Sequence, residues 1–207
     1  DYPECQRRAL DVSGWAGFPA RQRQAQREGR WTGIGLSNYV VRFTDFDATL
    51  KLDAANPSAS SVTINVRPAS IAVDFSADYK ATHKDSKFKS WTDELANSPD
   101  FLNAGKFPEA KFQSTKVELT GEGTGRVTGD LTLLGQTHPV TFDVKLVGSA
   151  DKHPFLGGGA FGLSAAGSFN RSDYGMKTML EPPLVSDKVS LELNGEFGQV
   201  QPKAAPA

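Results

Sequence analysis

Residues 140–146, VTFDVKL, put Val140, Phe142, Val144 and Leu146 on one side of an extended chain and Thr141, Asp143 and Lys145 on the other. A period of two is the signature of a strand with one greasy face and one wet face. The pattern is one of a set. Residues 111–120, 125–134, 140–148, 160–170 and 186–197 are each about ten residues long and are joined by connections rich in Gly, Pro or Thr. Strands of equal length linked in sequence need no long crossover, and closing the sheet on itself removes its unpaired edges. An up-and-down barrel is therefore favoured over a sandwich.

Earlier in the chain, residues 39–53 also alternate, but with a change of phase at Asp45. Val41 and Phe43 share one face, after which Phe46, Ala48, Leu50 and Leu52 take it over, so a bend or bulge is expected there. Asn56-Pro57-Ser58 supplies turn chemistry, and Val62, Ile64 and Val66 resume on one side to complete a hairpin. Residues 85–97 break the pattern. Phe88, Trp91 and Leu95 recur at three- and four-residue intervals, which predicts a short amphipathic helix ending before Ser98-Pro99. Residues 1–30 read as an atypical N-terminal arm in which only 10–18 offers a candidate first strand; 31–197 is the barrel, and 198–207 a flexible C-terminal tail.

Composition excludes several function classes. With 23 Lys plus Arg against 24 Asp plus Glu, no overall field draws the chain to nucleic acid or an anionic surface. The single cysteine, Cys5, permits neither an internal disulfide nor a cysteine metal cluster, and no run reaches the roughly 18 apolar residues of a membrane span. No charged-then-apolar segment opens the chain, so an exported form is expected to have lost its signal. His83, His138 and His153 fall in or beside loops without paired spacing, so no metal and no cofactor is expected. There is no GxSxG turn. Residues 157–162 satisfy GxGxxG but lead into an alternating run, where Phe161, Leu163, Ala165, Gly167 and Phe169 share a face; a dinucleotide loop would have to open a helix. Small residues on that face either leave room inside a barrel or mark a bend that needs glycine.

The chemistry-bearing stretch is Asn170-Arg171-Ser172-Asp173-Tyr174-Gly175, which follows a strand. Asp173 and Asp187 meet only if the last two strands are neighbours, and an Arg171 salt bridge to Asp173 or Asp187 that fixes a loop is favoured over acid and base work.

Residues 98–115 (SPDFLNAGKFPEAKFQST), 127–148 (VTGDLTLLGQTHPVTFDVKLVG) and 162–193 (GLSAAGSFNRSDYGMKTMLEPPLVSDKVSLEL), together with the early hairpin, closely resemble the YceI-like family of bacterial periplasmic, polyisoprenoid-binding proteins. The resemblance spans 31–197 in order and spacing. It implies an all-β fold, a lipocalin-like extended eight-stranded antiparallel barrel with short helical cover. It also implies a periplasmic location, no catalytic residues, and an interior that takes the tail of a polyprenyl phosphate, an isoprenoid quinone or a related amphiphile. The sequence departs from the family in two places: Leu134 stands where members commonly have histidine, and no first strand is recognisable before Trp31. Seven strand runs are counted, so either 10–18 supplies the eighth, the barrel is open at that seam, or the N-terminus is garbled.

The ligand-binding wall is expected to comprise Phe43, Phe46, Leu50, Ile64, Phe112, Leu131, Phe142, Leu163, Ala165, Phe169 and Leu191, with Phe88, Trp91 and Phe101 from the helical cover. Asn170, Arg171, Asp173, Tyr174 and Asp187 are the expected polar rim, meeting a head group or fixing a loop. The expected partner is an isoprenoid or other amphiphilic lipid, with a homodimer left open. Two other classes compete: an enzyme acting on a bound lipid through Asp173, Arg171 and Tyr174, and a stress-related interaction module with a solid core.

Overall fold

The computed structural model describes residues 4–6, 15–16, 38–51, 53, 56–73, 77–152, 159–181 and 185–199. In chain order it opens with three short strands, β1 (Glu4–Gln6), β2 (Trp15–Ala16) and β3 (Asn38–Tyr39). These are followed by β4 (Val41–Phe43), β5 (Phe46–Lys51), β6 (Ser61–Val66) and β7 (Ile71–Val73), then helices α1 (Tyr79–Thr82) and α2 (Trp91–Asn97). The long strands are β8 (Ala110–Gly121), β9 (Thr124–Leu133), β10 (Gln136–Ala150), β11 (Ala160–Asn170) and β12 (Lys188–Gln199).

Seven strands, β5-β6-β8-β9-β10-β11-β12, pair antiparallel in sequence order and curl into an extended lipocalin-like wall. The eighth place belongs to β1, whose residues pair with β5 through Cys5↔Leu50 and with β12 through Cys5↔Gln199. Closure thus falls to three residues. Of the candidate first strand at 10–18 only Trp15–Ala16 is described, pairing with Val189 and with β3; the rest of that run lies outside the described residues. A three-residue strand carries no readable period, which is why alternation pointed elsewhere. The rest of the N-terminal arm and the tail beyond Gln199 lie outside the described residues, and β12 itself runs two residues into the expected tail.

The change of phase at Asp45 is a departure from the wall. β4 leaves to form a two-stranded sheet with β7, and Ser70 holds the corner by accepting from the Asp45 N–H at 3.0 Å. The expected helix at 85–97 begins only at Trp91, because the Ser90 side chain accepts from the Asp93 N–H and the Asp93 carboxylate accepts from the Lys89 N–H. That reciprocal cap fixes the first turn and leaves Phe88 outside it. The β9–β10 hairpin turns on Leu134 and Gly135, both at positive φ (52° and 74°). Such a turn normally takes Asn-Gly; a leucine there is strained by about 1 kcal/mol, and Leu134 offsets this by packing on the buried core.

One end of the barrel is plugged. Val41 and Ile71 of the small sheet, Leu95 and Ala96 of α2, and Leu102, Leu133, Tyr174 and Met176 form a single buried cluster across it. The other end, where β8 turns into β9 and β10 runs on to Ala150, has bulges between Leu119 and Gly121 and between Leu146 and Gly148. Bulges bend strands and add twist, so this end splays.

Candidate functional site

Cross-strand register defines the inner face. Phe112, Leu131 and His138 stand side by side, as do Val117, Val127, Phe142, Gly167 and Leu191, and then Leu119, Gly125, Val144, Ala165 and Leu193. Two dry cavities follow one another along the axis. The one nearer the plug, about 110 Å³, is bordered by Phe43, Val66, Pro68, Leu102, Ala110, Leu131, Leu133, Phe169, Met176 and Leu191. The one nearer the splayed end, about 100 Å³, is bordered by Ala48, Leu50, Val62, Val127, Val144, Leu163, Ala165, Asn194, Gly195 and Phe197. Ile64, Phe112, Phe142 and Leu193 border both. These four side chains are the partition.

Size decides what this interior holds unaided. An apolar cavity of about 150 Å³ takes one benzene ring, so each chamber suits a single ring or a short branched segment. The partition is an edge-to-face pair, Phe112 and Phe142, with ring centroids 5.2 Å apart. Each ring lies over a glycine. A Cβ on Gly129 would sit 2.5 Å from Phe112 Cζ, and one on Gly167 would sit 2.7 Å from Phe142 Cδ1. The small residues of β11 therefore have a third meaning beyond open space or a bend: Gly167 seats a ring against the wall, while Ala165 borders open cavity.

Ten expected wall residues border these cavities: Phe43, Leu50, Ile64, Phe112, Leu131, Phe142, Leu163, Ala165, Phe169 and Leu191. Phe46 is buried beside them in the cluster with Ala48, Leu50 and Phe197. The helical cover behaves differently. Trp91 packs edge-on against Tyr79 and His83, Phe88 lies under the Lys87 ammonium, and Phe101 backs the plug; none borders either cavity. Val66, Val127, Val144 and Leu193 were missed although they share the parity of chosen neighbours. Leu102 and Met176 sit in irregular segments with no period to reveal them.

The expected polar rim is built around a buried arginine. Arg171 has no exposed surface, and its guanidinium donates to the carbonyls of Ser186 (2.9 Å), Met176 (3.2 Å), Thr178 (2.7 Å) and Val185 (3.0 Å). Burial pulls its pKa down, and the charge of Asp187 opposes that. Asp187 instead accepts from the Ser172 N–H (2.8 Å) and hydroxyl (2.7 Å). Arg171 does fix a loop, but through carbonyls where a salt bridge was expected. Asn170 and Asp173 face solvent. Tyr174 is buried between Phe169 and His138, both edge-on at 5.1 Å, its hydroxyl without a hydrogen-bond partner among the described residues. Burial, reinforced by Asp173, pushes that hydroxyl up to about 12. Among the described residues no group of three or more His, Cys, Asp or Glu is placed to hold a metal, and no helix is long and apolar enough to cross a membrane.

The model of the YceI-like domain matches residues 19–197. The chain belongs to the YceI-like family. A UPF0312 protein of Pseudomonas putida strain W619 is 38% identical over 163 residues, 79% of this chain and 75% of that protein. Protein YceI of Escherichia coli O6:H1 is 36% identical over the same shares. Among solved structures, the Campylobacter jejuni YCEI protein superposes with a TM-score of 0.65 at 23% identity, covering 83% of this chain and 91% of that one. Burkholderia cenocepacia BcnA gives 0.64 at 18% identity, covering 90% and 95%. At those identities the likeness is one of fold; it is as a member of the YceI-like family that the chain is a barrel-type binding protein.

Proposed function

We propose that the protein binds, and carries or stores, a long-chain isoprenoid lipid such as a polyprenyl phosphate or an isoprenoid quinone, holding the hydrocarbon tail along its inner face in the periplasm. The observation that carries this reading is the pair of apolar cavities in line on the barrel axis, with Phe112 and Phe142 between them. A tail longer than one chamber threads both once these rings swing off their glycine seats. Each methylene taken out of water contributes about 0.8 kcal/mol, so a dry channel needs no directed contacts to hold a long chain.

Catalysis at the Asn170–Gly175 turn is disfavoured by geometry. The Arg171 donors engage main-chain carbonyls, Asp187 is engaged by Ser172, and Asp173 faces solvent, so no acid and base pair points at a common atom. Organic extraction of the purified protein followed by mass spectrometry tests the proposal. A prenyl lipid in near-stoichiometric amount is expected; a clean extract, together with failure to take up a prenyl lipid added in detergent, overturns it.

A further inference from the structure

The splayed end carries an apolar patch beyond the two cavities. Leu119 is 67% exposed, Leu146 41% and Val147 70%, and they lie together on the ends of β8 and β10. Main-chain contacts tie the group into one tip: the Leu146 N–H donates to the Gly123 carbonyl at 2.7 Å, and Leu119 stands opposite Gly125. Leu119 and Leu146 belong to the inner face. Leu119 is in line with Val144 through Gly125, and Leu146 pairs with Leu163; Val144 and Leu163 both border the second cavity. The inner face thus runs without interruption from the cavity wall out to solvent. Val147 is different: the bulge between Leu146 and Gly148 leaves it as the extra residue in the β10–β11 register, and it stands against Gly162.

Resting on the lipid-carrier reading, we propose that this tip is the loading port and that it works by sinking into the acyl layer of a lipid bilayer, from which the tail slides along Leu119 and Leu146 into the barrel. Passage of a tail accounts for two of the three residues. Val147 stands out of the inner-face register, on the side of the wall to which Gly162 belongs, so wetting by the tail leaves it unexplained. An acyl layer that surrounds the strand ends accommodates all three. The opposite end has no such path, since the cluster of Val41, Leu95, Leu102 and Tyr174 closes it.

The test follows transfer of a fluorescent prenyl alcohol from phosphatidylcholine vesicles to the protein. The wild-type loading rate is expected to rise in proportion to vesicle concentration, as collisional pick-up requires. Leu119→Asp and Val147→Asp are expected to slow loading at least tenfold, Val147→Asp without changing final occupancy. Met179→Asp, at an exposed apolar side chain (40%) three residues after Met176 of the plug, is expected to load like wild type. Loading whose rate ignores vesicle concentration, or Asp variants at the tip that load at the wild-type rate, overturns the port and leaves the carrier reading standing. A wild-type protein that takes up no probe, from vesicles or from detergent, overturns both.

Discussion

Replacing Gly167 by alanine adds one methyl group at the point where Phe142 lies on the wall. The new Cβ would stand 2.7 Å from Phe142 Cδ1, 3.0 Å from Cε1 and 2.9 Å from the Thr141 carbonyl oxygen. Carbon atoms pack at about 3.5–4.0 Å, so the ring must retreat by about 1 Å, and the wall behind it leaves only the bore to retreat into. Overpacking of this kind costs about 1–3 kcal/mol, and removing a strand glycine returns about 0.5–1 kcal/mol. The net loss centres on about 1 kcal/mol, a fall in Tm of about 2–4 °C for a chain of this size. The displaced ring also narrows the passage to Phe112, 5.2 Å away. Two methylenes kept out of the chamber nearer the plug forfeit about 1.6 kcal/mol, more than tenfold in affinity. Differential scanning calorimetry and titration with prenyl alcohols of increasing length read both effects. Affinity is expected to fall for long chains and to hold for those short enough for one chamber. Gly148→Ala is the control, because nothing lies within 4 Å of its added Cβ. A Gly167→Ala protein as stable as wild type and unchanged toward long chains would refute the idea that these rings gate the bore.

Other consequences are equally concrete. Arg171→Met leaves the carbonyls of Ser186, Met176, Thr178 and Val185 without their donor, at a cost of about 3–5 kcal/mol. Urea midpoints are expected to show Arg171→Lys recovering less than half of that, since an ammonium cannot reproduce the planar fork. Tyr174, held near 12 in the fold against about 10 in the unfolded chain, keeps its proton while the unfolded state loses it. Its contribution is complete below pH 10 and is lost as pH rises toward 12, so Tyr174→Phe should lose less stability than wild type across that interval in denaturant titrations. Leu163→Arg puts a charge on the border of the second cavity. A hollow barrel should stay folded by circular dichroism while losing its lipid, whereas a solid core would lose several kcal/mol and unfold.

Much of the wall was legible because alternation reports a sheet with two unlike faces, and the residues chosen from β8 to β12 fall on the inner one. What failed to show has physical causes. Closure by Glu4–Gln6 is too short to have a period. The start of α2 is set by the Ser90 and Asp93 cap, which spacing of Phe88, Trp91 and Leu95 does not weigh. Phe88, Trp91 and Phe101 were greasy in the right neighbourhood, but Trp91 found Tyr79 and His83, contacts made between segments that sequence order does not align. Arg171 was read correctly as a loop fastener, and its partners were misjudged because carbonyls leave no trace in a list of side chains. The seats under Phe112 and Phe142 depend on which glycine a neighbouring strand brings alongside, a matter of register.

A crystal structure of the protein loaded with a prenyl lipid brominated at the far end of its tail addresses the bore most directly. The anomalous peak is expected in the chamber bounded by Pro68, Leu102 and Met176, past the two phenyl rings. Bromine on the outer surface, or rings still seated with the tail stopped short of them, would contradict a threaded interior.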